Sequence, residues 1–534
     1  MVDNFAASSN EPLDQGTIEV IKNLLPVLGN DGTMGKIVET FYNILLTKER
    51  PEFKNIFNAS NQLSGRQATA LSKALLQFFS NIEIDKKQTI KMFEPVMIKH
   101  VSLGVKGTYY QAVGKCLVDA IREVVPETSE EQIVAIEEAY SYLSKVFIEE
   151  EAKIYKKIED EELGGWKGER EFTITKIVNE SKDGKIKSFG LRPKDGKKIL
   201  AFEAGDHISI SVASQLRQYS LSNYTKGAGL LEYRITVKKE KGGNVSTCLH
   251  ELKEGDIVKI RPPVGIFHLK EEHIKRKLPI VLLSSGNGLT PVLSMLHKLV
   301  KEEYKGKVYY IHCTQNRMTH AMEEEVEKIA NKNIKVVNFY SQESEEFEEQ
   351  KVSSKAKHIM QRINQESLRK VLEVEKIGDY RFYCCGSERW FIGQEKESGV
   401  KTLLVNIGVK EDQIFTESFG PSFAIATAVS GEPCFDSGSG KGNSVDKKSS
   451  KKAIQSIVAG IVGAVLLASG VTLYIMKMPV VAAVVGIAGL ACIGFSLYNA
   501  LKPGTKLEKV EDVEVCRRDA KDVYIEQASA KATQ

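Results

Sequence analysis

The sequence predicts a multidomain chain: an all-α domain, then an antiparallel β-barrel, then an α/β domain on a parallel sheet, then two transmembrane helices. Three changes of pattern predict the folded part. From about residue 17 to residue 160, apolar positions recur at helical spacing, as in Val38, Tyr42 and Leu45, and again in Met92, Val96, His100 and Leu103. From Glu169 the text turns to short alternating runs, EFTITKIV, HISISV, EYRITVKK and DIVKI, separated by DGK, KGG and EGD turns, as antiparallel strands with one buried face require. From Leu278 the runs become continuous and apolar, LPIVLL, KVYYIHC, IKVVNFY and YRFYCC, with helical stretches between them. That is the pattern of a parallel sheet covered on both faces.

A chain of 534 residues exceeds what one hydrophobic core supports. The pattern changes place an N-terminal tail at 1–15, the helical domain at 16–162, the barrel at 163–277 and the α/β domain at 278–426. The acidic stretch 342–350 reads as a solvated loop within the last of these. A Gly/Ser-rich and then basic segment, 427–452, has linker composition. It leads to two charge-free runs, 453–476 and 480–501, each about 33–36 Å long as a helix against a hydrocarbon core of ~30 Å. The region 453–501 therefore reads as a transmembrane hairpin in a lipid bilayer, and 502–534 as a cytosolic tail. Lys447, Lys448, Lys451 and Lys452 precede the pair, and Lys502 and Lys506 follow it, which puts both flanks in the cytosol. Gly460, Ala464 and Ala468 offer small residues at four-residue spacing for close helix packing.

Composition narrows the function classes. A net charge of +4 spread along the chain leaves no nucleic-acid footprint. The eight cysteines include no CxxC pair, which argues against a disulfide framework or a zinc ribbon and favours a reducing compartment. The N-terminus has no basic region followed by an apolar run, so it does not read as a secretory signal. The expectation is a membrane-anchored chain whose catalytic domains face the cytosol.

His100 is the one histidine in the first 160 residues, and it sits on an apolar stripe. Alone, such a histidine is more often a satisfied core residue. Tyr42 also lies on a stripe, and Gln67 precedes Leu71, Leu75 and Phe78 at helical spacing, so three polar side chains point inward. Each costs free energy unless it finds a partner. An axial imidazole on one side and two donors on the other are satisfied together by a haem carrying a diatomic ligand. The strings TFYNILL, FKNIFNASNQ, GRQATAL, MIKH and KVFIEEEAKIY resemble the globin domain of flavohaemoglobins. That resemblance implies His100 as the iron ligand, Tyr42 and Gln67 as distal donors to dioxygen, Leu71 as an apolar gate, and Phe57 as the aromatic wedge of the haem. It also places Lys99 among the cofactor-binding positions, and Tyr110 with Glu151 as the pair bonded to the histidine. A carboxylate behind an imidazole N–H raises its basicity. By itself Glu151 reads as part of a solvated helix face, EEEAK.

The string RQYS, residues 217–220, ends a candidate barrel strand with a cation, an aromatic ring and a hydroxyl, the groups an FAD needs. GGNVST, residues 242–247, offers glycines and hydroxyls to a pyrophosphate. Both resemble the FAD domain of the ferredoxin-reductase superfamily, which implies Arg217 on the pyrophosphate, Tyr219 on the flavin, Ser220 near its reactive nitrogen, and Gly242, Gly243, Val245 and Ser246 around the phosphates. The Gln-Tyr pair usual in that family is Asp206-His207 here. SSGNGLTP, residues 284–291, follows a strand and precedes a helical stretch, the context of a dinucleotide loop. Its Thr290-Pro291 ending resembles the reductase version, with Gly286 and Gly288 as the loop glycines. FYCCGS and ESFGP resemble the two remaining signatures, which implies Cys385 and Gly386 by the nicotinamide and Phe419 on the flavin. No acidic ribose partner is visible and Arg317 follows the second strand, so NADH and NADPH both stay open.

The order of the three parts matches flavohaemoglobins over roughly the first 425 residues. The resemblance implies a nitric oxide dioxygenase with haem b, FAD and NAD(P)H as cofactors and dioxygen and nitric oxide as small-molecule partners, forming nitrate. Two other readings are a haem ligand sensor or store served by its own reductase, and a membrane NAD(P)H reductase for another acceptor. The full-length chain is expected to stay with membranes through high-salt and carbonate washes, while a chain ending near Ser450 is soluble and redox-competent. Release by salt alone would replace the two-span reading with peripheral association.

Overall fold

A computed structural model describes residues 13–30, 32–57, 61–62, 64–225, 232–343, 355–394 and 397–419. The linker 427–452, the apolar pair within 453–501, the tail 502–534, and most of the acidic stretch 342–350 lie outside these residues. Among the described residues no helix is long and apolar enough to cross a membrane.

Helices begin where the sequence supplies caps. Asp14 caps α1 (Gln15–Leu28) and α2 spans Thr33–Ile44. After α3 (Arg66–Ser80), Asp85 and Gln88 form a capping box for α4 (Lys86–Leu103), and α5 spans Tyr109–Val124. Ser129 and Gln132 form a second box for α6 (Glu130–Ile158). Their inward stripes meet in one apolar cluster that includes Ile21, Val38, Phe41, Phe78, Phe93, Ile136 and Phe147. Helix α4 stops at Gly104, whose φ of +76° admits the left-handed cap that satisfies the His100 and Val101 carbonyls. The segment carrying His100 is therefore the terminated last turn of its helix.

The barrel contains β1 (Arg170–Asn179), β2 (Ile186–Pro193), β3 (His207–Val212), β4 (Gln215–Ser220), β5 (Tyr233–Lys238) and β6 (Ile257–Ile260). They pair antiparallel in the order β4-β3-β6-β1-β2-β5. A bridge between Leu221 and Ile235 joins the two ends. Alternate residues, Phe172 and Ile174, Phe189 and Leu191, Ile208 and Ile210, and Tyr233 and Ile235, fill the interior. One short helix, α7 (Asn244–Glu251), packs against this core through Val245 and Leu249.

After α8 (Glu271–Lys275) the chain enters a parallel sheet. Its elements are β7 (Ile280–Ser285), α9 (Leu289–Lys301), β8 (Val308–Thr314), α10 (Glu323–Ile329), β9 (Ile334–Tyr340), β10 (Ala356–Ile359), α11 (Gln365–Val371), β11 (Arg381–Gly386), α12 (Glu388–Ile392), α13 (Val400–Asn406) and β12 (Ile414–Ser418). The strand order is β10-β9-β8-β7-β11-β12, all parallel. β7 and β8 are buried along nearly their whole length, which explains their unbroken apolar text. The order reverses between β7 and β11, so the crevice at their carboxyl ends is the switch point where ligands of such sheets bind.

Contacts between the parts are specific. Ile98 and Val101 of α4 and Ile158 of α6 share a cluster with Val264 of the barrel. Between barrel and α/β domain, Arg234 of β5 donates two hydrogen bonds to Glu325 of α10, at 2.8 and 2.9 Å, and His297 of α9 bonds the same carboxylate at 2.6 Å. Burial works to raise the Glu325 carboxyl, but the hydrogen bonds and charges of His297 and Arg234 outweigh it and hold it at about 2. A carboxyl held below its ordinary range stabilises fully above that range, and the contribution is lost as pH falls toward 2. Glu325→Gln is therefore expected to cost about 1–3 kcal/mol at pH 7. The gap in melting temperature from the native chain should narrow on acidification, and an equal gap at pH 7 and pH 3 would show that the charge is not what holds the clamp.

Candidate haem, flavin and nicotinamide sites

In the helical domain the structure brings His100, Tyr110 and Glu151 together. Glu151 is 2 % exposed in the middle of α6, although it stands in a run of glutamates; Glu149 and Glu150 pair with Lys86 and Lys153 instead. Tyr110 donates to Glu151 Oε1 at 2.6 Å, and His100 Nδ1 lies 2.9 Å from that oxygen and 2.8 Å from the Tyr110 hydroxyl. Glu151 can only accept, and the Tyr110 proton is already directed at it, so Nδ1 carries the imidazole proton. Burial first, and the Glu151 charge and hydrogen bond next, keep the Tyr110 hydroxyl protonated. Nε2 is left with a lone pair and no protein partner among the described residues. That is the atom and tautomer an axial iron ligand requires.

Tyr42, from α2, and Gln67, from α3, also meet: Gln67 Nε2 donates to the Tyr42 hydroxyl at 3.3 Å. Burial pushes the Tyr42 hydroxyl up to about 12, against the Gln67 bond, so it is a proton donor across the physiological range. Phe57 packs edge-on to the Tyr42 ring at 5.5 Å. Phe57, Leu71 and Val96 pack on the apolar cluster yet are only partly buried, and the His100 side chain keeps 30 % of its exposure. Partial exposure of residues that line a core marks an opening into it, and the donor set around that opening fits a haem.

On β4, Arg217 and Tyr219 point to one face. Arg217 bonds only the Leu216 carbonyl and the Gln215 amide oxygen, with no carboxylate partner among the described residues. Burial lowers its hold on the proton. A half-buried guanidinium without a counter-ion fits a pyrophosphate. Ser220 is buried at the end of the strand. Gly242, at φ +74°, has open space around it, and Gly243 starts α7. The Ser246 hydroxyl is committed to the loop itself, accepting from Glu240 N and donating to the Gly243 carbonyl, and Val245 fills the barrel core. These two residues shape the loop, and what remains for a phosphate is its backbone N–H groups.

At the switch point, residues 286–288 form a single tight turn between β7 and α9. Gly286, at φ +53°, faces open space, whereas a side chain at Gly288 would meet the Cys385 carbonyl at 2.2 Å. The second glycine is thus required by the adjoining strand β11, a reason different from the phosphate approach expected of it. Thr290 likewise donates to the Asn287 carbonyl and is buried with Pro291 at the start of α9. Asn287 turns one amide proton to Thr236 of the barrel and leaves its buried Oδ1 without a partner, as a dinucleotide site would. Cys385 is buried on β11 with its thiol pushed far up by burial, Gly386 abuts Ser285 and Trp390, and Phe419 is 46 % exposed just past β12. Arg317 does follow the second strand, where its backbone N–H donates to Glu343, so at least that residue of the acidic stretch is engaged rather than solvated.

Where the three parts meet, the structure adds groups that sequence reasoning missed. Asp206 is 7 % exposed; its Oδ1 bonds His268 Nε2 at 2.7 Å and its Oδ2 accepts from Glu203 N. Gln218 bridges His207, at 3.2 Å, to Ser102, two residues beyond His100. Burial lowers His207 to about 4 and raises Glu417 to about 7, the latter opposed by Lys99 and His268. Lys99 therefore lies at the junction with the reductase parts, near Glu417. The one signal in the sequence was the Asp206-His207 departure.

A pocket presenting one imidazole, joined to a flavin-type barrel and a dinucleotide-type sheet, defines a haem-bearing flavin oxidoreductase. Family models agree part by part: a globin over residues 39–147, an oxidoreductase FAD-binding domain over 171–269, and an oxidoreductase NAD-binding domain over 282–394. The chain is 36 % identical over 427 residues to a flavohemoprotein of Bacillus thuringiensis, covering 77 % of this chain and 100 % of that one. It is 32 % identical over 428 residues to flavohemoprotein A of Dictyostelium discoideum, covering 77 % and 98 %. The fold matches a flavohemoglobin of Malassezia yamatoensis solved with bound FAD and haem, at a TM-score of 0.64 and 23 % identity over 77 % of this chain and 100 % of that one. The chain belongs to the flavohaemoprotein family, and its cofactors are haem, FAD and a nicotinamide dinucleotide. His100→Ala is expected to abolish the Soret band or open the site to added imidazole, while NAD(P)H-driven reduction of a soluble dye survives. An unchanged band and carbon monoxide shift would remove His100 as the ligand.

Proposed function

We propose that the chain is a nitric oxide dioxygenase that converts nitric oxide and dioxygen to nitrate at the expense of NAD(P)H, held at a membrane by residues 453–501. When bound, the nicotinamide supplies an electron pair, the flavin passes the electrons on singly, and the iron is where the two gases combine. The observation that carries this reading is the pairing of two different polar sets in one apolar domain. Tyr42 and Gln67 place a hydroxyl proton and amide protons in the pocket, where charge on an oxygen ligand develops. Glu151 and Tyr110 draw the Nδ1 proton of His100 toward themselves, which makes Nε2 a stronger electron donor. A simple ligand store gains nothing from that push, whereas oxygen activation does. Leu71 and Phe57 keep the approach to the pocket apolar, so an uncharged gas enters more readily than an ion.

On the reductase side, the arginine of β4 and the turn after β7 orient the dinucleotides, and the Arg234–Glu325–His297 clamp holds the two domains at a fixed separation. The membrane tether rests on sequence alone, on two charge-free runs and the basic residues that flank them.

Hydrogen bonds to a charged acceptor contribute about 1–3 kcal/mol, and each ~1.4 kcal/mol is tenfold in a rate or equilibrium constant. Tyr42→Phe is therefore expected to speed dioxygen dissociation from the reduced protein about ten- to a hundredfold, with a far smaller effect on carbon monoxide. Nitrate production at limiting oxygen should fall in parallel, and reduction of the flavin by NAD(P)H should not change. Dissociation within about twofold of the native rate would sink the distal assignment and, with it, the dioxygenase reading.

A further inference from the structure

One cluster outside the three cofactor sites pairs two carboxylates with an imidazole. Glu323 and Glu327 stand four residues apart on α10 and so share a face. His358 projects toward them from β10, the edge strand of the parallel sheet. Its Nε2 lies 3.7 Å from Glu327 Oε1 and its Nδ1 lies 4.0 Å from Glu323 Oε1. One ligand atom from each of the three lies within 4.8 Å of the others. The side chains are 22 %, 22 % and 15 % exposed, less than surface ion pairs such as Lys328–Glu324, at 79 % and 92 %.

Among the described residues the charged partners of these carboxylates are histidines. Neither Glu323 nor Glu327 has a lysine or arginine partner within ion-pair distance among the described residues. The guanidinium of Arg317 lies over the Tyr340 ring and is shared with Glu343. Tyr340 donates to Glu323 Oε1 at 3.2 Å, and His320 Nδ1 holds the same hydroxyl at 2.8 Å, but these are neutral contacts. The His358 imidazole can offer an unprotonated nitrogen to a cation, as coordination requires. Two like charges at four-residue spacing in a half-buried place are unfavourable unless something of charge +2 sits between them.

We propose that Glu323, Glu327 and His358 form a divalent-cation site of the zinc class, which ties α10 to the edge strand β10. Two carboxylates and one imidazole suit a borderline ion, and three protein ligands leave a position for water. Bonds of about 2.0–2.2 Å set neighbouring ligands roughly 3–3.5 Å apart. Rotation of the glutamate side chains, with no change in either element, is enough to close the present spacing.

The test uses the full-length holoenzyme, stripped with a chelator and titrated with zinc chloride by calorimetry, with metal content measured after gel filtration. The native chain should retain one equivalent of zinc. Glu327→Gln and His358→Gln should each weaken uptake at least tenfold, and Glu324→Gln, one position along and on the exposed face, should leave it unchanged. Zinc should also raise the melting temperature of the native chain and not of the two ligand variants, while reduction of FAD by NAD(P)H confirms that each variant is folded. No retained equivalent in the native chain, or an equivalent that survives both ligand substitutions, overturns the site and leaves an ordinary ion-pair cluster. Neither result bears on the dioxygenase reading, which uses none of these residues.

Discussion

A carboxylate sealed inside a helical domain must be matched, and Glu151 is matched by one imidazole proton and one phenol proton. Removing either partner would leave a buried charge at a cost of several kcal/mol. This one requirement orders the rest of the helical domain. It fixes the tautomer of His100 and hence which nitrogen faces the pocket. It also ties the last turn of α4 to the start of α5 and the C-terminal half of α6, where Tyr140 and Tyr155 of α6 add bonds to the Tyr110 and Val105 carbonyls. The terminus of α4 follows from the same placement, because the glycine cap after His100 lets the chain turn away while the imidazole stays anchored.

The electron path depends on domains whose spacing is set by polar contacts laid over apolar packing, which between barrel and sheet joins Ile186, Phe267 and Leu269 to Ile280, Val292 and Tyr383. Between helical domain and barrel, the small cluster around Val101 and Val264 is supplemented by the Ser102–Gln218–His207 bridge. Between barrel and sheet, the bonds of Glu325, of Asn287 to Thr236 and of Ser294 to Asn223 all run from helices or turns of one part to the backbone or a strand of the other. Directional bonds set distance and angle more sharply than apolar packing does, which suits a molecule in which charge must move between separately bound groups.

Much of this was legible in the sequence, and the parts that were not share a cause. Periodicity located the helical domain, alternation gave the barrel strands, and unbroken apolar runs gave β7, β8, β9 and β11. β2, β10 and β12 escaped because they are mixed in composition or sit at an edge. His100 stood out by elimination, and the turn after β7 by its context. Glu151 did not, since EEEAK looks solvated on any scale and only the phase of α6 decides which glutamate turns inward. The hydroxyls of Ser246 and Thr290 show the opposite effect, since local backbone carbonyls claim them and no spacing in the sequence displays that. The junction of Lys99, Asp206, His268 and Glu417 joins residues more than three hundred positions apart, and no local pattern encodes such a meeting.

Gly104 has a second role besides ending α4. A β-carbon there would fall about 2.2–2.6 Å from the guanidinium atoms of Arg261, which belongs to the barrel. The Arg261 guanidinium thus lies against the end of the haem helix, and a methyl group there would oblige this side chain to swing aside. A helical domain transplanted from an unrelated oxygen carrier would bring its own helix ending, and any residue larger than glycine there would displace Arg261 from its place against the helix. The two parts would therefore be expected to change together over descent at this contact, through Gly104 on one side and Arg261 on the other.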